Sequence, residues 1–363
     1  MAKNITVLGC GRWASFHSWY QSTVLKNNVI MWGRAGDPMY DELEAKREND
    51  FWKLPENVQL SSDLKNSLEF SDYIFIIISA QGMRDLTKKI AQELLKIKEH
   101  KTFILCMKGI DDKTYETLSQ IMRRELDAAG AKNNSICVWV GPGHIQEFLD
   151  GQPGVMIIDG EDIEISQRVV DNFKSASMKL YVGDDLIGAE VGASAKNVFG
   201  IAAGILDGAK LQSLKGALMA RGVHEVSKLI VAMGGKKQTA YGLSHLGDFE
   251  ATLFSRNSNN RRFGEAIMEY IKQKKCENIK SECFKGGANI NQCNDMTCTL
   301  RQLKLAEGVA TSKALHNLAQ KYNVPMPITT LVYEVLHKDK DPFVGFREIF
   351  MRENTSEFGD KKV

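Results

Sequence analysis

The stretch ITVLGCGRWA at residues 5–14 decides the fold, because it joins an apolar strand to a glycine turn and then to a helix. Gly9 permits the tight turn, Gly11 lets the backbone approach a pyrophosphate, and Ala14 lets the helix pack closely on the strand. The free N–H groups at the start of the helix can then bind phosphate oxygens. A second strand follows at the right distance, so we interpret this as a dinucleotide-binding turn rather than a purely structural one.

Short apolar strands alternate with helical stretches through the first half of the chain, which is typical of a parallel α/β sheet. Strands with such continuous apolar character suit a sheet that is covered on both faces. We therefore expect a Rossmann-type, doubly wound parallel sheet. The expected strands are residues 5–8, 29–32, 73–78, 102–107, 136–140 and 155–158, and the expected helices between them are 39–48, 82–95 and 113–129.

The pattern changes near residue 183, and almost everything after it is typical of helix. A chain of 363 residues also exceeds a comfortable single core, which favours two domains. We expect a dinucleotide-binding domain at residues 1–185, an all-α substrate and catalytic domain at 186–355, and a flexible tail at 356–363. The expected helices of the second domain are 188–206, 214–233, 261–274, 306–322 and 328–336.

Composition narrows the class of protein. Charged residues make up 25% of the chain and give a net charge of +2, without the basic excess that is usual in nucleic-acid binders. No apolar run approaches the ~20 residues that span a bilayer, so we expect no membrane span. The seven cysteines are an odd number, and no leader is visible. We therefore expect reduced thiols and a cytoplasmic location.

The second strand ends in Trp32-Gly33-Arg34. An NAD-specific site usually carries Asp or Glu at this position, where it binds the ribose hydroxyls. The Gly-Arg pair removes the repulsion against a 2′-phosphate and supplies a cation, so we expect NADPH to be accepted. The alternative is an ordinary solvent-facing arginine after a strand.

Residues 188–206, GAEVGASAKNVFGIAAGIL, predict a helix that neighbours pack tightly, with Lys196 in its middle. No acidic residue lies one turn away, so the charge is either functional or a structural lysine that reaches solvent. Asp248 follows a glycine-rich loop and is either functional or a helix cap. Lys108 and the turn Gly141-Pro142-Gly143-His144 follow strands, where ligands bind in such sheets, although a surface lysine and a structural turn are plausible alternatives.

Motifs along nearly the whole chain resemble those of the bacterial NAD(P)-dependent glycerol-3-phosphate dehydrogenases. In order they are GCGRWA, MWGR, MKGID, GPGHIQE, GAEVGASAKNVFGIAAGILDG, ARGVHEVSKL, GLSHLGDFEAT, SNNRRFG and LAEGVATSKALHNLAQKYNVPMPIT. The resemblance implies a Rossmann domain followed by a helical substrate domain. It also implies hydride transfer from NAD(P)H to the ketone of dihydroxyacetone phosphate, giving glycerol 3-phosphate for glycerophospholipid metabolism.

The resemblance also implies a set of site residues. Lys196 looks like the catalytic lysine that protonates the substrate oxygen, and Asp248 looks like its carboxylate partner. Positions similar to the family's substrate contacts are Lys108, Asn197 and Thr252. Those similar to its cofactor contacts are Gly9, Gly11, Arg12, Trp13, Ala14, Arg34, Lys108, Ile145 and Glu307.

The chain departs from the family pattern at several positions. Ala14 and the bulky Phe16-His17 occupy a helix start that is usually smaller, His245 stands where the family has glycine, and Gly143 replaces a frequent small hydroxyl residue. The region 276–303 contains about twenty residues that the family mostly lacks. Its four cysteines are not spaced like paired zinc ligands, so we expect a loop and no metal. The four are Cys276, Cys283, Cys293 and Cys298.

The phosphate clamp is the least family-like part of the site. The family's Ser-Arg-Asn before RRFG reads Ser258-Asn259-Asn260 here, although Ser255-Arg256-Asn257 lies three residues earlier. A phosphate needs an arginine, a helix N-terminus, or both. We expect Arg256 to supply the missing cation, with Arg261 as the alternative. The expected phosphate contacts are Arg256, Asn257, Asn260 and Arg261.

Two other functions remain open from the sequence. The first is a related dehydrogenase that acts on a different ketone, phosphorylated or sugar-derived, for example in a surface-polymer pathway; the altered clamp favours this alternative. The second is a non-catalytic nucleotide-binding protein, which the intact Lys196 and Asp248 argue against, because a buried charge is costly to keep without a use. In every case we expect a small-molecule ligand, no nucleic-acid partner, and a homodimer as the assembly.

Overall fold

The alternating pattern of the first half forms one mostly parallel sheet. The computed structural model describes residues 2–49, 52–255, 258–277, 306–352 and 356–357. The strands are β1 (Asn4–Leu8), β2 (Asn28–Trp32), β3 (Glu48–Asn49), β4 (Trp52–Lys53), β5 (Val58–Ser61), β6 (Tyr73–Ile76), β7 (Lys101–Leu105), β8 (Asn134–Val140), β9 (Gly154–Gly160) and β10 (Met178–Gly183).

Eight of these strands lie in the order β5-β2-β1-β6-β7-β8-β9-β10, and β3 pairs with β4 in a separate ribbon. The chain crosses from β2 and β5 on one side of β1 to β6 on the other, so the strand order reverses between β1 and β6. In sheets of this kind ligands bind beyond the carboxyl ends of the strands at such a point. The glycine turn after β1 lies there.

The expectation of a parallel sheet is wrong for one pair, since β8 and β9 run antiparallel, with Val138 opposite Asp159. The antiparallel direction arises because β9 follows β8 after a short helix, whereas a parallel return needs a longer crossover. The strand pattern also missed the two-residue strands β3 and β4, and β5 and β10 of the main sheet. β5 is short and half polar, and β10 alternates buried with exposed residues, so neither resembles a continuous apolar run.

Helices cover the sheet and begin at identifiable caps. Asp37 caps α2 with Pro38 in its first turn, and Thr117 forms a capping box with Gln120. The cap at Thr117 explains why α5 starts later than the expected residue 113. The helices are α1 (Arg12–Trp19), α2 (Pro38–Lys46), α3 (Leu64–Phe70), α4 (Met83–Leu94), α5 (Leu118–Ala128), α6 (Ile145–Leu149) and α7 (Ile163–Phe173).

The remainder of the described chain is helical, as expected. Its helices are α8 (Leu186–Gly208), α9 (Lys215–Ala232), α10 (Asp248–Phe254), α11 (Asn259–Glu277), α12 (Gly308–Lys321), α13 (Pro327–His337) and α14 (Pro342–Phe350). A five-residue π-helical segment, Leu243–Gly247, leads directly into α10. No helix in the described part of the chain is long and apolar enough to cross a membrane.

The chain divides into two compact units. The first contains Met1–Asp111 and Glu116–Glu190, and the second contains Asp112–Tyr115 and Val191–Val363. The division therefore falls within α8, five residues beyond the expected boundary at 185, and the short segment 112–115 was not anticipated. Arg256 and Asn257, nearly all of the cysteine-containing region 276–303, and most of the tail 356–363 lie outside the described residues.

Candidate active site

The glycine turn after β1 is built around close backbone contacts. Gly9 has φ +134°, and a Cβ at this position would lie 2.1 Å from the carbonyl oxygen of Ile77, so only glycine fits. At Gly11 a Cβ would meet nothing nearer than the Met39 side chain at 3.9 Å. α1 begins directly after Gly11 and has no acidic residue in its first turn. The turn therefore offers open space at the positive end of a helix, which suits a pyrophosphate.

The end of β2 excludes the acidic residue that sequence reasoning looked for. A Cβ on Gly33 would lie 2.4 Å from the ring of Tyr40 and 2.5 Å from Cys10 Sγ, so no side chain fits there. Arg34 is 69% exposed, and its guanidinium lies 3.3 Å from Asp37. Burial raises the pKa of Cys10 to about 12, which leaves its thiol uncharged beside the turn. Tyr40 and Cys10 thus shape this position, although neither carried a sequence signal.

Two of the positions at which the chain departs from the family pattern, Phe16 and Gly143, lie against the same aromatic ring. Phe16 stacks on Phe148 with ring centroids 5.1 Å apart, and Trp13 meets the same ring edge-on at 6.3 Å. A Cβ on Gly143 would lie 2.4 Å from Phe148 Cζ. Phe148 therefore takes the space that a hydroxyl residue at position 143 would need. The large residue at 16 and the glycine at 143 are two consequences of this one ring.

His17 is part of the aromatic core behind the turn. Its ring centroid lies 5.1 Å from that of Trp139 and 5.4 Å from that of Phe75. Burial lowers the pKa of His17 to about 3, so the imidazole is neutral at working pH. The second unexpected residue at this helix start is therefore a packing residue.

Two more of the expected contacts lie at the carboxyl edge of the sheet. Lys108 follows β7, and its ammonium donates to the carbonyl of Gly141, which follows β8, over 3.2 Å. Ile145 is buried at the start of α6, and Arg12 donates to the side chain of Gln146. The first unit therefore brings the turn, Lys108 and the start of α6 to the edge where such sheets bind ligands.

Lys196 and Asp248 form an ion pair in the second unit. The Lys196 ammonium lies 2.7 Å from Asp248 Oδ1, with the lysine side chain 12% and the aspartate side chain 2% exposed. Asp248 is not the cap of α10, since that position is Gly247, and its carboxylate faces a lysine 52 residues earlier in the chain. The pair has the spacing of a strong charge-assisted hydrogen bond in a site with little water.

A second contact lies one turn before each member of this pair and joins α8 to the π-helical segment that leads into α10. His245 Nδ1 lies 2.9 Å from the carbonyl oxygen of Gly192, and a Cβ on Gly192 would come within 2.7 Å of the His245 Cβ. Burial lowers the pKa of His245 to about 4, so the ring is neutral and Nδ1 acts as the donor. The histidine that departs from the family pattern therefore packs α8 against the segment leading into α10.

The amide side chains near the pair form a continuous chain of hydrogen bonds. Asn197 donates to Glu307 over 3.2 Å and accepts from Asn260 over 3.0 Å, while Asn260 accepts from the Gly308 N–H over 3.0 Å. Thr252 donates its hydroxyl to the Asp248 carbonyl over 2.8 Å. The structure thus joins three of the predicted residues directly, with Asn260 and Glu307 both bonded to Asn197, while Thr252 bonds the main chain of Asp248.

Arg261 is held by carboxylates of its own unit. Its Nε lies 2.5 Å from Asp207, and another of its nitrogens lies 2.8 Å from Glu265. The carboxylate of Asp207 also binds a second cation, the ammonium of Lys215, which lies 2.7 Å from Asp207 Oδ2. Sequence reasoning missed this cluster, although the spacing of four between Arg261 and Glu265 is a recognised helix ion pair. No cluster of metal-ligating side chains occurs among the residues that the structure describes.

Comparisons with known proteins agree with this arrangement. The N-terminal family model of NAD-dependent glycerol-3-phosphate dehydrogenase matches residues 4–166, and the C-terminal model matches 185–345. Glycerol-3-phosphate dehydrogenase [NAD(P)+] of Clostridium botulinum is 31% identical over 92% of this chain and 93% of its own. That of Halothermothrix orenii is also 31% identical, over 97% and 96%.

Solved structures give the same result for the fold. Glycerol-3-phosphate dehydrogenase from Coxiella burnetii is 26% identical, with a TM-score of 0.81 over 97% of this chain and 99% of that chain. The Plasmodium falciparum glycerol-3-phosphate dehydrogenase is 20% identical, with a TM-score of 0.79 over 98% and 97%, which supports the fold alone. The chain therefore belongs to the NAD-dependent glycerol-3-phosphate dehydrogenase family, and it is an oxidoreductase of the NAD(P)-dependent kind.

Proposed function

We propose that this protein reduces dihydroxyacetone phosphate to glycerol 3-phosphate with NADH or NADPH. The observation that carries the proposal is the buried Lys196–Asp248 ion pair. The sequence resemblance assigns these two positions to the family's catalytic lysine and its carboxylate partner. The glycine turn of the first unit fits a dinucleotide, because Gly11 leaves the positive end of α1 open. When bound, the nicotinamide would supply the hydride, and the protein would supply geometry and electrostatics.

Lys196 has the chemistry of a proton donor in this reaction. Its ammonium would donate a hydrogen bond to the ketone oxygen and give it a proton as negative charge develops there. Asp248, held by the start of α10, orients the ammonium and balances its charge. Asn197 is fixed on the next position of α8 by Glu307 and Asn260, so it is available only in one orientation for a substrate hydroxyl.

Arg34 would select between the two cofactors. It is exposed at the end of β2 and follows a glycine that cannot be replaced by an acidic residue. A 2′-phosphate would therefore meet the cation of Arg34, beside which Asp37 lies at 3.3 Å. We propose that Arg34 contacts the adenosine ribose or its 2′-phosphate, with Arg12, Trp13, Ile145, Lys108 and Glu307 as further cofactor contacts.

Arg256 is our candidate for the positively charged side chain that binds the substrate phosphate. Arg261 is already engaged by two carboxylates, and Asn260 by Asn197 and Gly308. Moving the Arg261 guanidinium to a substrate would leave Asp207 with one cation fewer, which is costly for a buried carboxylate. Kinetics of Arg256→Ala and Arg261→Ala test this, with exposed Arg262→Ala as the matched control. We expect a raised KM for dihydroxyacetone phosphate in the first variant; a raised KM only in the second would assign the phosphate to Arg261.

The decisive experiment is a spectrophotometric assay. Purified protein with NADH or NADPH is mixed with dihydroxyacetone phosphate, and oxidation of the cofactor is followed, with Lys196→Ala as the control for contaminating enzymes. We expect turnover with at least one cofactor, and at most about a hundredth of that turnover with the variant. No turnover with either cofactor would reject this substrate.

A second candidate substrate follows from one observation. Asn259 stands where the family clamp has arginine, and it bonds the neighbouring Arg262 over 2.5 Å. A different ketone, phosphorylated or sugar-derived, would explain a clamp without that cation. The same assay with a panel of phosphorylated and unphosphorylated ketones separates the two, because the better substrate has the higher kcat/KM.

We also propose a cytoplasmic location and a homodimer. The location rests on the free, buried thiols of Cys10, Cys106 and Cys137, which suit a reducing compartment. Light scattering of the purified protein would test the assembly, and a mass of one chain would reject the dimer.

A further inference from the structure

The second unit contains an apolar cavity outside the residues described above. Its volume is about 210 Å³, and it lies among α8, α9, α13 and α14. Its walls come from aliphatic and aromatic side chains such as Ile205, Leu218, Leu331 and Phe346. A wall of this kind favours an alkyl or aryl group over a polar metabolite, since a polar group would lose its water without gaining a partner.

The wall of this apolar cavity also contains one positively charged side chain, that of Arg221. Arg221, on α9, is the only charged residue among the described residues that form the wall. Its guanidinium donates to the main-chain carbonyl of Glu357, and the ion pairs in the described parts of the chain do not include it. The carboxyl group of Glu225, one turn further along α9, accepts from Ile328 and Thr329 of α13; burial raises its pKa to about 7, and the nearby charge of Arg221 opposes that rise. The arginine therefore binds a neutral carbonyl that an anion could replace.

We infer that this cavity binds an anionic amphiphile, whose alkyl end fills the apolar space while its carboxylate or phosphate binds Arg221. Both parts of the ligand follow from the wall: the apolar side chains select an alkyl chain, and the positive charge of Arg221 selects the sign of the head group. An engineered cavity of about 150 Å³ admits benzene, so this volume suits roughly six to eight carbon atoms. The inference is independent of the proposed dehydrogenase activity.

Calorimetric titration of the full chain with octanoate, octyl phosphate, 1-octanol and octylamine, below their micelle concentrations, tests the head group. We expect one saturable site and about tenfold tighter binding of the two anions than of the alcohol, because a charge-assisted bond is lost with the alcohol. The amine should bind most weakly. The order of octanoate and octyl phosphate distinguishes a carboxylate from a phosphate ligand. Affinity should rise about fourfold per methylene from butanoate to octanoate.

Two variants locate the site. Ala217 is exposed at the wall of the cavity, so Ala217→Trp would close it without disturbing the core, and exposed Ala220→Trp on the same helix is the matched control. We expect loss of octanoate binding only in Ala217→Trp. In Arg221→Gln, octanoate should fall to the affinity of octanol, and Arg221→Lys should restore part of the difference.

Three results would overturn the inference. They are no saturable binding of either anion, binding that Ala217→Trp leaves unchanged, and equal affinities for octanoate and octanol in the unmodified protein. Light scattering adds a fourth. If Ala217→Trp changes the oligomeric mass and octanoate does not bind, a second copy of the chain covers the cavity instead.

Discussion

α8 carries two buried ion clusters, one at its middle and one near its C-terminal end, and they are built in different ways. At Lys196, one lysine faces one aspartate at 2.7 Å, with glycines one turn before and after. At Asp207, eleven residues later, one carboxylate binds both Lys215 and Arg261, and these cations also bond the carbonyls of Leu253 and Ser255.

On the function proposed above, the comparison separates a charge that takes part in the chemistry from charges that hold the structure together. The Asp207 cluster joins α8 to the start of α9 and of α11, and its cations are each held by several oxygens at once. Such a saturated network can neither release a proton donor nor receive a substrate anion without loss of stability. The Lys196 pair is bordered instead by Gly192 and Gly200, against which His245 and Thr252 pack closely.

The largest expected effect is on turnover. Lys196→Ala should lower kcat by about two to four orders of magnitude, because it removes a positioned proton donor. Steady-state kinetics measure this, and fluorescence titration of NADPH should give a nearly unchanged affinity. If the variant keeps more than about a tenth of the turnover, the lysine is structural and the comparison fails.

The next effect is on stability. Asp207→Asn leaves two buried cations with a neutral amide, so the free energy of unfolding should fall by about 3–5 kcal/mol. Denaturant unfolding measures the change, and kcat of the folded protein should stay within about threefold. Asp37→Asn, at an exposed ion pair, is the control and should change stability by less than about 1 kcal/mol. A large loss of kcat in Asp207→Asn would place this cluster in the catalytic site.

A smaller effect is expected for an arginine that neither cluster contains. Arg34→Ala should weaken NADPH binding by about tenfold and NADH binding much less, because only the former offers a 2′-phosphate. Titration of both cofactors measures the two affinities, with exposed Lys46→Ala on α2 as the control. Equal losses would mean that Arg34 does not read the phosphate.

The smallest effect concerns a third buried carboxylate, which accepts from main-chain N–H groups. Glu225 accepts from Ile328 N at 2.8 Å and Thr329 N at 3.2 Å, and burial raises its pKa to about 7. Its folded pKa lies above the unfolded value of 4.5, so its contribution to stability is present below pH 4.5 and is lost as pH rises through 7. The stability advantage of the wild type over Glu225→Gln should therefore shrink by on the order of 1 kcal/mol between pH 5 and 7.

Thermal unfolding at several pH values measures this difference, with exposed Glu250→Gln as the control. A pH-independent difference between wild type and Glu225→Gln would show that the carboxyl does not change its protonation in this range. The buried histidines act in the opposite direction. Burial lowers the pKa of His245 to about 4. The free energy of unfolding therefore decreases as the pH falls from 6.5 to 4, because the unfolded histidine binds a proton that the folded one does not.

Local patterns predicted the parts of the molecule that depend on neighbours in sequence. The strand-turn-helix around Gly9 and the small-residue helix around Lys196 needed only spacing and residue size. Pairings over long sequence distances were not accessible in the same way. Phe16 and Gly143 looked like two unrelated departures until Phe148 was seen to fill the space between them.

The same limit applies to charge. Arg261 was predicted as a phosphate ligand because an arginine beside the clamp suits that chemistry. The sequence could not show that Asp207, 54 residues earlier, lies 2.5 Å from its guanidinium. Likewise the glycine at position 33 was interpreted through the cofactor, whereas Tyr40 and Cys10 also exclude a side chain there. Tertiary contacts assign a residue to structure or to function, and residue type alone does not.

The glycines of α8 have a consequence for how the second unit folds. A Cβ on Gly204 would lie 1.9 Å from the Arg261 carbonyl oxygen, and one on Gly264 would lie 2.1 Å from that of Ile201, so α8 and α11 cross backbone to backbone. Each glycine costs an isolated helix about 1 kcal/mol relative to alanine. α8 is therefore a poor helix until its neighbours dock, and its nucleation should coincide with assembly of the helices around it. Replacing Gly204 by alanine, which would strengthen the helix as a peptide, should therefore slow folding and destabilise the protein.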